Sequence, residues 1–150
     1  MYPPKRILIA LDPSENAMRA VEYVAQMLGG QKEIFIELFH VVKEPPADLF
    51  PDEGERQKAK EAHEKAMLQV FEKAKDRLEA AGIPREEVII KVRPTRESVA
   101  RVILEEQTSG RFGTVVVGRR GVSKAEEFLF GSVSNKVVHY AKGCAVWVVE

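Results

Sequence analysis

The chain has almost no cysteine, no excess of either charge and no long apolar run, and each shortage excludes a class of protein. The single cysteine, Cys144, has no partner for an intramolecular disulfide, which excludes a stapled secreted scaffold and fits a reducing compartment. Lysine plus arginine equals aspartate plus glutamate at 23 each, so the basic excess of a general nucleic-acid coat is missing. A near-neutral surface also makes self-association easier than a strongly charged one. The apolar run that follows Met1-Tyr2-Pro3-Pro4-Lys5-Arg6 stops at Asp12, too short for a signal peptide. No run approaches the roughly 18 residues of a membrane span. These absences predict a cytoplasmic protein that engages neither membrane nor nucleic acid.

Several nucleotide motifs are absent too. There is no Gly-x-x-x-x-Gly-Lys-Ser/Thr, hence no phosphate-loop lysine, and no Gly-x-Gly-x-x-Gly follows the first apolar run, which argues against a dinucleotide site. No histidine pair of the nucleotidyl-transferase type is present. His40, His63 and His139 lack the i, i+4 spacing of helical metal ligands. His63 reads as a solvated or half-buried helix residue, and His40, just before Val41-Val42, as a candidate flank of a pocket. Cys144 reads as a small core residue rather than a nucleophile.

What is present is a globular balance, 45% hydrophobic and 31% charged, in 150 residues, the length of one domain. Ile7-Leu8-Ile9-Ala10-Leu11 is a continuous apolar run, the mark of a strand buried on both faces. Asp12-Pro13-Ser14 breaks it, and Ser14 is placed to cap a helix carrying Ala17, Val21, Val24, Ala25 and Leu28. Further strands are expected from Glu33 to Val42, Val88 to Val92, Thr114 to Val117 and Ala145 to Val149. A long helix is expected from Glu55 to Ala81, with a stripe of Ala59, Ala66, Val70, Ala74, Leu78 and Ala81 widened by Met67 and Phe71, and Gly82 to end it. Thr95 is placed to cap a third helix, and Ser132 to Ala141 reads as a fourth. Strands alternating with helices predict an α/β fold, an open parallel sheet with helices on both faces. No linker divides residues 1–150, which read as a single domain. In such sheets ligands bind beyond the carboxyl ends of the strands.

The segment richest in chemistry lies there. Gly118-Arg119-Arg120-Gly121 follows a buried strand, and Gly131-Ser132 opens the last helix. Gly118 keeps a side chain out of the way of a ligand over the sheet edge, and Gly121 lets the loop turn or lets amides face a phosphate. At Gly131 a missing Cβ leaves the first-turn amides open to an anion, with the Ser132 hydroxyl beside them. A triphosphate matches this arrangement; plain turn glycines are the competing reading. Asp12 reads either as a turn former before Pro13 or as a carboxylate facing a ribose hydroxyl or a metal-bound phosphate. Arg119 and Arg120 read as solvated loop residues or as phosphate contacts.

The spacing Gly118-x-x-Gly121, nine residues, Gly131-Ser132, with Val133-Ser134-Asn135-Lys136-Val137-Val138 and Ala145-Val146-Trp147-Val148-Val149 after it, resembles the carboxyl-terminal signature of the universal stress protein family in its ATP-binding branch. The opening Ile7-Leu8-Ile9-Ala10-Leu11-Asp12-Pro13-Ser14 resembles that family's first strand and helix start. The resemblance implies an open five-stranded parallel sheet of order 3-2-1-4-5, the Rossmann-like adenine nucleotide alpha hydrolase-like fold. It implies ATP with Mg²⁺ as ligand, with Ala10 and Asp12 near the adenosine or the metal, and Val41 or Val42 reading the adenine through its backbone. Val117, Gly118, Arg120 and Gly121 would border ribose and phosphates, and Gly131, Ser132 and Val133 would hold the phosphates. It also implies a homodimer that pairs last strands through Val146, Trp147 and Val148, and an unnamed protein partner. The expected role is a nucleotide-dependent sensor or regulator; a slow ATP hydrolase and a nucleotide-free interaction module are the alternatives. Two departures stand out: Gly113-Thr114 where the family often has an acidic residue, and Arg93-Pro94-Thr95-Arg96 where it often has a glycine.

Overall fold

A computed structural model of the chain describes residues 1–44, 52–119 and 132–150. The elements run β1 (Arg6–Ala10), α1 (Glu15–Leu28), β2 (Phe35–Lys43), α2 (Glu53–Ala80), β3 (Val88–Thr95), α3 (Val99–Ser109), β4 (Thr114–Gly118), α4 (Ser132–Tyr140) and β5 (Ala145–Val149). The strands form one five-stranded sheet in the order β3-β2-β1-β4-β5, with every pairing parallel, as expected. The three inner strands read as apolar runs because helices cover both faces.

Alternate residues of the inner strands feed two cores. Ile7, Ile9, Ile36, Leu38 and Val116 pack against α1 and α2. Leu8, Phe39, Val41, Val115 and Val117 pack against α3 and α4. Successive side chains of a strand point to opposite faces, which is why neighbours in sequence fall into different cores.

Three expectations needed correction. In α2 the buried residues are Met67, Phe71, Ala74 and Leu78, so the buried stripe is set by the large side chains; Ala59 is exposed and Ala66 and Val70 only flank it. β3 runs on to Thr95 and includes Pro94, which an edge strand tolerates because one row of its backbone groups faces outward. Ser98 rather than Thr95 caps α3: its hydroxyl accepts from Arg101 N at 3.3 Å, while Thr95 Oγ1 accepts from Glu97 N at 2.9 Å inside the preceding turn.

Two glycines have stated causes. Gly82, just past α2, has φ of +97°, a conformation that disfavours side chains. Gly113 donates to Pro3 O at 3.1 Å and Arg6 O at 3.0 Å, and a Cβ there would fall 2.2 Å from Pro3 O. The amino-terminal segment therefore leaves no room for the acidic side chain common at this place in the family it resembles.

Candidate functional site

The strand order reverses at β1: the chain moves outward through β2 and β3 on one side, and β4 and β5 lie on the other. The carboxyl ends of β1 and β4 flank the resulting crevice, the general ligand position of open α/β sheets. β1 pairs with β4 only as far as Ile9↔Val116, and with β2 as far as Ala10↔Phe39. Beyond those pairs the edge opens.

The register decides what β2 offers. In a parallel strand alternate residues send both backbone groups toward the same neighbour. Phe39 O accepts from Leu11 N at 2.8 Å, so Phe39 faces β1. Val41 therefore also directs its N–H and C=O to that side, past the end of β1. Val42 turns the other way, toward Pro94 of β3. Of the two valines, Val41 presents a donor and an acceptor to the open edge, the pattern that can read an adenine.

Ala10 ends β1 and packs partly into the second core. Asp12 is half-buried, and its Oδ1 accepts from Ser14 N at 2.9 Å and from the Ser14 hydroxyl. Ser14 holds the N-cap position, but its hydroxyl goes back to Asp12 and makes no cap bond. The turn-forming role of Asp12 is thus real, and it orients the carboxylate at the end of β1.

On the other flank, the side chain of Val117 is core, so only its backbone can meet a ligand. Gly118 closes β4 opposite Val149. Arg119 is not a solvated loop residue. Its guanidinium meets Glu150 at 2.7 Å, its N–H donates to Val149 O at 2.7 Å, and its carbonyl accepts from the Ser134 hydroxyl at 3.0 Å. These bonds tie the end of β4 to β5 and α4. Ser132 opens α4 and is exposed, and Val133 packs partly into the second core. Arg120, Gly121 and Gly131 lie outside the described residues.

A histidine pair adds to the edge. His40, the residue before Val41, is 4% exposed; its Nδ1 lies 2.7 Å from Leu11 O and its Nε2 lies 2.8 Å from His63 Nε2 of α2. Burial holds its pKa below the usual histidine value, with the positive charge of His63 acting the same way and the Leu11 carbonyl and Asp12 opposing. Sequence reasoning left these histidines apart because they are far separated in sequence. The signal that could have joined them is periodic: His63 occupies the α2 stripe one turn before Met67, on the side that faces β2.

Elsewhere, Trp147 of β5 meets Tyr23 of α1 edge to face at 5.8 Å between ring centroids, so it does pack under a helix. It stays half-buried, on an edge strand. Burial pushes the Cys144 thiol up, which lowers its thiolate fraction and agrees with a packing role. Among the described residues no helix is long and apolar enough to cross a membrane, and no three side chains are grouped as metal ligands.

Residues 3–150 match the sequence model of the Universal stress protein family. Universal stress protein YxiE of Bacillus subtilis (strain 168) is 26% identical, over 97% of this chain and 98% of its own length. Universal stress protein UspA from Lactobacillus plantarum shares the fold at TM-score 0.76 and 18% identity, over 100% of both chains. The universal stress protein from Archaeoglobus fulgidus, solved in complex with dAMP, has TM-score 0.63 and 16% identity, over 97% of each chain.

Proposed function

Because this chain belongs to the universal stress protein family, we propose that it is an ATP-binding member, a cytoplasmic homodimer whose partner contacts or conformation depend on the bound nucleotide. The observation that carries this reading is the convergence at one sheet edge: the outward-facing peptide of Val41, the oriented carboxylate of Asp12, the ends of Val117 and Gly118, and the first turn of α4 at Ser132 and Val133. A relative solved with dAMP supports an adenine compound as the ligand.

The adenine stacks over the edge and exchanges hydrogen bonds with Val41. The phosphates lie toward the amides of α4 and the glycines at 118, 121 and 131, with Arg120 beside them. Asp12 supplies one protein carboxylate to Mg²⁺. That donor set suits Mg²⁺, which keeps several waters and takes its remaining oxygens from phosphates rather than from a protein cage. ATP acts here as a ligand that favours one conformation, and turnover is slow at most. The dimer pairs the exposed edge of β5 at Val146, Trp147 and Val148 with its copy, which removes an open strand edge.

Calorimetry with ATP, AMP and cyclic AMP, together with mass spectrometry of the nucleotide that co-purifies, tests the binding. The expected result is ATP binding that Gly131→Val abolishes while the thermal transition persists. An unimpaired affinity in that variant overturns the placement of the phosphates, and no binding of any adenine compound overturns the function. Sedimentation of the purified chain reads the assembly, and a monomer at all concentrations counts against the β5 interface.

A further inference from the structure

Among the described residues, α2 buries nothing in its first three turns: its buried side chains begin at Met67. The helix nevertheless starts at Glu53, with Asp52 accepting from Gly54 N at 2.9 Å as its cap. One contact that reaches from this half to the sheet is His63 Nε2 to His40 Nε2 at 2.8 Å.

The protons in this contact can be assigned. A carbonyl oxygen only accepts, so the 2.7 Å approach of His40 Nδ1 to Leu11 O places a hydrogen on Nδ1. A neutral His40 then has a bare Nε2, and His63 must donate to it. One hydrogen lies between the two Nε2 atoms. A divalent cation shared by both nitrogens would hold them about 3.3 Å apart for tetrahedral bonds near 2.0–2.1 Å. The observed 2.8 Å is the separation of a hydrogen bond.

We propose that His40 and His63 form a proton-operated latch, in which this hydrogen bond holds the amino-terminal half of α2 to the carboxyl end of β2 until both rings carry charge. The first added proton leaves the bond intact, since either ring can be the cation and still share one hydrogen with the other. The second proton puts N–H against N–H and two positive charges in contact. Among the described residues the groups whose charge acts on His40 are His63 from α2 and Asp12 from the turn after β1; its register partner on β3, Val92, carries none. Burial and the His63 charge resist the second proton, and Asp12 favours it, so release falls below the ordinary histidine range.

His40 directly precedes Val41, so the latch borders the nucleotide edge. That consequence rests on the function proposed above; the latch itself does not, and its test contains no nucleotide. Amide exchange of residues 57–66 is measured in the native protein at about pH 7.5 and about pH 5 and corrected for intrinsic rates, with β1 and β2 amides as the control for global unfolding. Protection in the native protein is expected to fall about tenfold or more at the lower pH while β1 and β2 stay protected. His63→Gln retains a donor at the same place without titrating and should keep its protection at both values. His63→Ala should lack it at both. Equal protection in the native protein and His63→Ala, or a native protein indifferent to pH, overturns the latch.

Discussion

His40 and Glu37 both sit on β2 and face opposite sides of the sheet, and each is buried against a residue of its own kind. On the α2 side, His40 meets His63. On the α3 side, Glu37 is 3% exposed and its carboxyl is raised by the neighbouring carboxyl of Glu106, itself buried, while Lys91 Nζ donates to Glu106 Oε1 at 2.8 Å. Among the described residues Glu37 Oε2 has no hydrogen-bond partner. Two bases or two acids can be buried in contact if one proton is shared between them. The base pair fails when it gains protons, and the acid pair fails when it loses one. The same strand therefore carries an acid-sensitive joint on one face and an alkali-sensitive joint on the other.

The signs follow from the shifts. Glu37 is pushed up from 4.5 to about 7, first by burial and then by the neighbouring carboxyl of Glu106. Its contribution to stability is complete below about pH 4.5 and is lost as pH rises through about 7. His40 is held below 6.5, first by burial. Its contribution is present above that value and is lost as pH falls through the lowered one.

The largest effect should come from removing the base outright. His40→Ala leaves a cavity and an orphaned Leu11 carbonyl, and urea unfolding at neutral pH should show a loss of about 3 kcal/mol. A loss below about 1 kcal/mol would mean that the carbonyl finds another donor. Next, Glu37→Gln keeps the shape and removes the titration. Its stability relative to the native protein should rise by about 2 kcal/mol between mildly acidic and mildly alkaline pH. A parallel pair of pH profiles would remove this carboxyl from the account. Smaller still is the coupling between the faces. The double variant Glu37→Gln with His63→Ala should show effects that add within about 0.5 kcal/mol, because the pairs share no partner. A larger coupling would mean that β2 itself shifts. The smallest change is expected at an exposed pair: Arg77 holds Glu22 down to about 2, with its Nη2 donating to Glu22 Oε1 at 2.8 Å. Arg77→Gln should shift the melting temperature least of the set, and the shift should fade with added salt; an effect that survives high salt would show that packing, not charge, is lost.

Much of the fold was legible beforehand. The continuous runs at residues 7–11 and 114–117 announced buried parallel strands, and Gly82 announced the end of the long helix. Gly118 stands at the end of β4 and Ser132 at the start of α4, as their positions in the pattern suggested. Other features were not legible, for physical reasons. Thr95 and Ser98 are equally good caps on paper; the extra length of β3, set by its pairing with Val42 and Lys43, decided between them. Arg119 looked solvated because its partner, Glu150, is brought alongside only by the pairing of β4 with β5. Gly113 looked like a departure from a pattern until the amino-terminal segment lay across it.

The amino-acid sequence by itself determined the alternation of strand and helix, the parallel sheet and the places where strands give way to helices. These follow from local periodicity and from residues whose backbone freedom is special. Tertiary structure alone decided that Val41 rather than Val42 faces the open edge, that His40 meets His63, and that Glu37 meets Glu106. Each of those depends on strand register and on which helix covers which face, and such pairings are made between residues that no local pattern relates.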